Sequence, residues 1–135
     1  MSNLFLRHGE VQNEKNVFYA NLPGFYLSNN GRTQAKNAAI KIKEQFDIKN
    51  IISSPLLRAR QTAEIVNSVL KINITTSYNI IEWAGPSDWI GRTWDEIKLT
   101  QNFKNADDSP LNLTNTGESL KSVFDRFNSI CLLYT

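Results

Sequence analysis

The chain opens on a short apolar run, Leu4-Phe5-Leu6, that gives way abruptly to Arg7, His8, Gly9 and Glu10, as a buried strand does where it leaves a sheet. After Gly31 the spacing changes to threes and fours: Ala35, Ala38, Ala39, Ile42 and Phe46 line one face of a predicted helix. Lys49-Asn50-Ile51-Ile52-Ser53-Ser54-Pro55 reads as a second buried strand closed by a proline. Ala59, Thr62, Ala63, Val66 and Val69 or Leu70 then share one face of a second helix, and the threonines, tyrosine and isoleucines of Ile74 to Ile80 favour a third strand. A polar loop follows around Gln101 to Leu113, where Asp107 and Asp108 mark a turn rather than a cation site. From Gly117, helical spacing returns at Leu120, Val123, Phe124, Phe127, Ile130, Cys131 and Tyr134. Strand and helix alternating three times imply right-handed crossovers. The expected fold is therefore α/β, a three-layer α/β/α sandwich around a mainly parallel sheet.

Composition adds limits. A length of 135 residues, with 41% hydrophobic and 21% charged, predicts one globular domain over residues 1–135. A formal charge of +2 with scattered Lys and Arg argues against a nucleic-acid groove and for a local anion pocket. The single Cys131 excludes an internal disulfide. With no export signal and no long apolar stretch, the expected place is the cytoplasm, away from a membrane.

Ligands of open parallel sheets sit beyond the carboxyl ends of the strands. Two predicted strands end on polar residues: one on Arg7-His8-Gly9-Glu10, the other on Ser53-Ser54-Pro55-Leu56-Leu57-Arg58, which also opens a helix. Both should emerge on one rim, making a pocket of Arg7, His8, Arg58 and helix-start N–H groups suited to a phosphate dianion. His8 is the sole histidine, so it builds no zinc site; it is either a nucleophile, base or phosphate ligand, or a strand end that is merely hydrogen-bonded. There is no Cys-x5-Arg loop, no Gly-x4-Gly-Lys-Ser/Thr loop and no strand followed by Asp-x-Asp.

Five ordered segments resemble the histidine phosphatase superfamily, the group that includes the phosphoglycerate mutases and broad-specificity phosphatases. Arg7-His8-Gly9-Glu10 is similar to its signature, and Leu27 to Ala35 is similar to the start of its first helix. Ser53 to Ala63 resembles its second arginine motif, while Ile81-Glu82 with Gly91, and Gly117-Glu118-Ser119, match later landmarks. The resemblance implies a phosphoglycerate mutase-like fold and a metal- and cofactor-free phosphatase acting on small phosphate esters. His8 would attack phosphorus in line and carry the phosphoryl group, with Arg7 and Arg58 on the non-bridging oxygens and Glu82 as the proton donor. Such an acid favours activity at mildly acidic pH. Arg7, Gly9, Arg58 and Asn13 would be the substrate-binding residues.

Each residue also has a plainer reading. Arg7 and Arg58 could be ordinary ion-pair arginines, and Glu82 a solvated loop carboxylate. Trp83, Trp89 and Trp94 could wall a substrate pocket or fill a core. Arg60 should face solvent; Arg32, Glu10 and Glu118 read as structural, Glu118 near the start of the last helix. The family pattern continues into a further strand ending on a second histidine, which this sequence lacks, so the domain is expected to be incomplete at its C-terminus and to miss its last strand or strands. The open slot beside the first strand would offer a second copy of the chain an edge to pair with. Three functions stay open: a histidine phosphatase; a catalytically impaired phosphate-ligand or protein-binding module; and a truncated relic of such an enzyme. A mutase is disfavoured by the short chain.

Overall fold

The computed structural model describes residues 3–108 and 118–133. They fall into two compact units, one of residues 3–12 and 23–81, the other of residues 13–22, 82–108 and 118–133.

In the first unit, helix α1 (Asn29–Gln45) starts where the Ser28 side chain accepts the Gly31 N–H, satisfying one of the helix's orphan donors. Its buried stripe is Gly31, Ala35, Ala39 and Ile42. These are mostly small residues, and they let α1 pack along helix α2 (Leu57–Leu70). Phe46, expected on the same face, is 48% exposed, because the chain leaves helical geometry there with φ at −136°. Strand β1 (Asn50–Ser53) pairs in parallel with strand β2 (Asn73–Thr76) across α2, in the register Asn50 to Asn73 through Ser53 to Thr76. The unit β1–α2–β2 is thus the parallel crossover that the alternating pattern predicts. Lys71 closes α2 in the left-handed region at φ 57°, and Asn67 accepts the Ile72 N–H, which turns the chain back toward β2.

Two expectations for this unit need correction. The predicted strand Leu4–Leu6 joins no ladder among the described residues, and its side chains are 44, 68 and 46% exposed. A parallel-sheet strand is buried by neighbours on its edges and helices on its faces, and without them its apolar run stays in water. The predicted strand Ile74–Ile80 stops at Thr76, because the Ser77 hydroxyl accepts the Asn79 N–H and bends Tyr78–Ile80 into a 3-10 turn.

The second unit is built on aromatic rings. Phe18 meets Trp83, Trp89 and Trp94 at centroid distances of 6.5, 5.7 and 6.2 Å, and Trp89 also meets Phe103 at 6.1 Å. Trp89 is buried with its indole N–H on Thr100 Oγ1, so it serves as this unit's core; Trp94 is 54% exposed. A capping box of Thr93 and Glu96 starts the short helix α3 (Trp94–Ile97). The expected loop from Gln101 is instead helix α4 (Gln101–Asp108): Thr100 Oγ1 accepts the Phe103 N–H, and Phe103 is held against Trp89. Helix α5 (Leu120–Leu133) half-buries Val123, Phe127 and Ile130, while Leu120 and Phe124, expected on that face, are 38 and 63% exposed. Residues 109–117, the Cys131 side chain and Tyr134 lie outside the described residues.

Candidate active site

Two backbones meet where the first polar segment docks. A Cβ added to Gly31 would stand 2.0 Å from the Glu10 carbonyl oxygen, and one added to Gly9 would stand 2.3 Å from the Gly31 oxygen. Only residues without a Cβ permit this approach. The contact is stitched by Ser28 N–H to the Glu10 carbonyl at 2.9 Å, by Glu10 N–H to Gln34 Oε1 at 2.9 Å, and by an antiparallel bridge from Val11 to Leu27. The Glu10 carboxylate accepts from the Ser28 hydroxyl and the Asn30 amide, and those bonds, Ser28 first, hold its pKa below the ordinary carboxylate value. Glu10 is therefore structural, fixing His8 and Gly9 against the start of α1.

The His8 ring is half-buried, with Nδ1 2.8 Å from the Gly9 carbonyl oxygen. A carbonyl only accepts, so Nδ1 carries the hydrogen, and in the neutral ring Nε2 keeps its lone pair. Gly9, expected among the substrate-binding residues, is buried, and its own N–H donates to Thr62 Oγ1 at 3.2 Å. The Thr62 hydroxyl in turn donates to the Arg58 carbonyl at 2.8 Å. One hydroxyl thus ties the histidine segment to the first turn of α2, where Arg58 sits. Thr62 lies on the expected core face of α2, where a hydroxyl in an otherwise apolar stripe is the signal of this tie. Arg58 is 1% exposed, and no side chain caps α2 at Leu56, so a buried guanidinium and a positive helix end share this turn. Arg7 is exposed, as is Arg60, which pairs with Glu64 along the helix at 3.9 Å.

The remaining candidates belong to the second unit. Glu82 is exposed, and its Oε1 accepts the Trp83 N–H at 3.0 Å. The Asn13 amide clasps Val17, donating to its carbonyl at 2.9 Å and accepting its N–H at 3.2 Å, which closes the loop that carries Phe18. Among the described residues no three His, Cys, Asp or Glu side chains gather as metal ligands, and no helix is long and apolar enough to cross a membrane.

The sequence profile of the histidine phosphatase superfamily (branch 1) matches residues 4–132. The chain is 39% identical over 104 residues to an uncharacterised protein of Mycobacterium tuberculosis, covering 69% of this chain and 51% of that one. It is 35% identical over 80 residues to the 2,3-bisphosphoglycerate-dependent phosphoglycerate mutase of Thermoplasma acidophilum, covering 58% and 40%. Its fold superposes on a mycobacterial glucosyl-3-phosphoglycerate phosphatase with a TM-score of 0.78 at 23% identity, covering 93% of this chain and 59% of that one. The match thus spans about half or less of the curated relatives' length.

Proposed function

This chain belongs to the histidine phosphatase superfamily, and on that premise we propose that it hydrolyses small phosphate monoesters through a phosphohistidine on His8, residues 1–135 contributing to one such domain. The observation that carries the reading is the His8 Nδ1 contact with the Gly9 carbonyl, which puts the ring hydrogen on Nδ1 and supports Nε2 as the attacking nitrogen. Nε2 attacks phosphorus as the ester P–O bond breaks, and the Glu82 carboxyl gives its proton to the departing oxygen. Water then attacks the phosphoramidate, the P–N bond breaks, and the Glu82 carboxylate takes the water's proton, releasing inorganic phosphate. Arg58, buried in a low-dielectric turn, and Arg7 bind the non-bridging oxygens with charge-assisted hydrogen bonds; Asn13 is a further substrate contact. Losing either arginine costs about 10² or more in rate, by comparison with removal of one charge-stabilising donor elsewhere.

The mutase among the relatives favours a second reading, in which a substrate hydroxyl rather than water takes the phosphoryl group from His8. Release of inorganic phosphate separates the two. The test is hydrolysis of p-nitrophenyl phosphate by the 135-residue chain between about pH 5 and 8 beside His8→Ala, with circular dichroism on both. Turnover lost with His8 supports the reading, and a folded chain without turnover sinks it.

A further inference from the structure

Glu118 is a half-buried carboxylate that the chemistry on His8 does not use. Arg126, two turns along α5, grips it with Nε at 2.6 Å and Nη2 at 2.8 Å, one on each carboxylate oxygen, and the two side chains are only 15 and 20% exposed. The Ser122 hydroxyl adds a contact at 3.3 Å. A two-point guanidinium contact fixes a carboxylate in direction as well as position. The Trp83 indole N–H donates to the Glu118 carbonyl at 2.6 Å, while the ring stands edge-on to Phe18 and Trp89. Trp83 is thereby anchored to the start of α5, and its own amide holds the Glu82 carboxylate. Just beyond, Gly85 turns at φ 67° where a Cβ would lie 2.8 Å from the Phe18 ring, which closes the segment on its far side.

We propose that Glu118, locked by Arg126, is a positioning residue for Glu82: its carbonyl holds the Trp83 indole so that the Glu82 carboxyl, bonded to the Trp83 amide, keeps one placement during proton transfer. The proposal rests on the reading of Glu82 as the acid. A proton donor works only within hydrogen-bond reach of the leaving oxygen, and a displacement of about 1 Å costs on the order of 10² in rate. The penalty depends on the leaving group. An alkoxide needs its proton in the transition state, whereas p-nitrophenolate leaves without one.

The experiment compares kcat/KM for glycerol 2-phosphate and p-nitrophenyl phosphate in Glu118→Gln, Trp83→Phe and Glu82→Gln. Trp83→Phe keeps a ring against Phe18 and Trp89 while deleting the N–H donor, so it remains informative if Glu118→Gln fails to fold. The expected result is a kcat/KM loss of about 10- to 10²-fold on the alkyl ester in all three, against less than about threefold on the aryl ester, because kcat/KM reads the transfer to His8 and not the later step in which Glu82 takes the water's proton. Equal losses on both esters, or none, in the Glu118 and Trp83 variants while Glu82→Gln keeps its alkyl selectivity overturn the clamp and leave the acid assignment standing. Absence of selectivity in Glu82→Gln overturns both.

Discussion

Gly31→Ala sets two effects of opposite sign against each other. Inside a helix, alanine is favoured over glycine by about 1 kcal/mol, so helix propensity alone predicts a more stable protein. Packing predicts the reverse, because the new Cβ would lie 2.0, 2.7 and 2.9 Å from the Glu10 backbone O, N and C atoms, none of which can swing aside as a side-chain tip can. Relief requires the first polar segment and α1 to part by about 1 Å. That opens the Ser28 N–H bond to the Glu10 carbonyl and the Glu10 N–H bond to Gln34. Overpacking costs about 1–3 kcal/mol and each opened hydrogen bond about 1 kcal/mol, so after the propensity gain the variant should be less stable by about 2–4 kcal/mol. Urea unfolding followed by circular dichroism reads this as a fall in midpoint on the order of 1–2 M at unchanged slope. A midpoint that stays level or rises would refute the close approach of Gly9, Glu10 and Gly31, and with it the account of how His8 is held.

The remaining predictions concern the bridge, the ion pair and a turn. Thr62→Val keeps the shape but leaves the Gly9 N–H without its acceptor; it should cost about 1–3 kcal/mol in urea and lower kcat more than KM. The Arg126 hydrogen bond holds the Glu118 pKa below the ordinary carboxylate value. Its stabilisation is therefore fully present above the unfolded carboxylate range, about pH 4.3, and is lost as pH falls through the depressed folded value. A thermal-melting series on the acid side should show Glu118→Gln losing less stability with falling pH than the parent, and parallel curves would count against it. Gly85→Ala must place an alanine at φ 67° against the Phe18 ring and should lower the midpoint by about 1–3 kcal/mol of stability, where a silent substitution would contradict the described turn.

The parts of the fold that could be read from the sequence were those decided by local pattern. The stripe Ala35, Ala39 and Ile42 and the run Ile51-Ile52 closed by Pro55 mark α1 and β1 because helix period and strand run length are written in neighbouring residues. Leu4–Leu6 misleads for the opposite reason: strand formation needs a ladder partner, and partners are a tertiary property that an apolar run does not encode. Thr100 turned an expected loop into α4 through one hydroxyl and a contact with Trp89, again a cue visible only when distant residues meet. At the site, the motif residues could be named from type and order, but the connections could not. That Thr62 joins Gly9 to Arg58, or that the Glu118 carbonyl receives the Trp83 indole N–H, depends on backbone groups that look alike in every sequence.

The most direct measurement is rapid quenching of the chain during turnover of p-nitrophenyl phosphate, with peptide mapping above neutral pH, where a phosphoramidate survives, and NMR to identify the modified ring nitrogen. The Nδ1 contact with the Gly9 carbonyl predicts a phosphoryl group on His8 at Nε2, present in the parent chain and missing from folded His8→Ala. A phosphoryl group on His8 Nδ1 or on another residue, or turnover that persists in folded His8→Ala, contradicts the account.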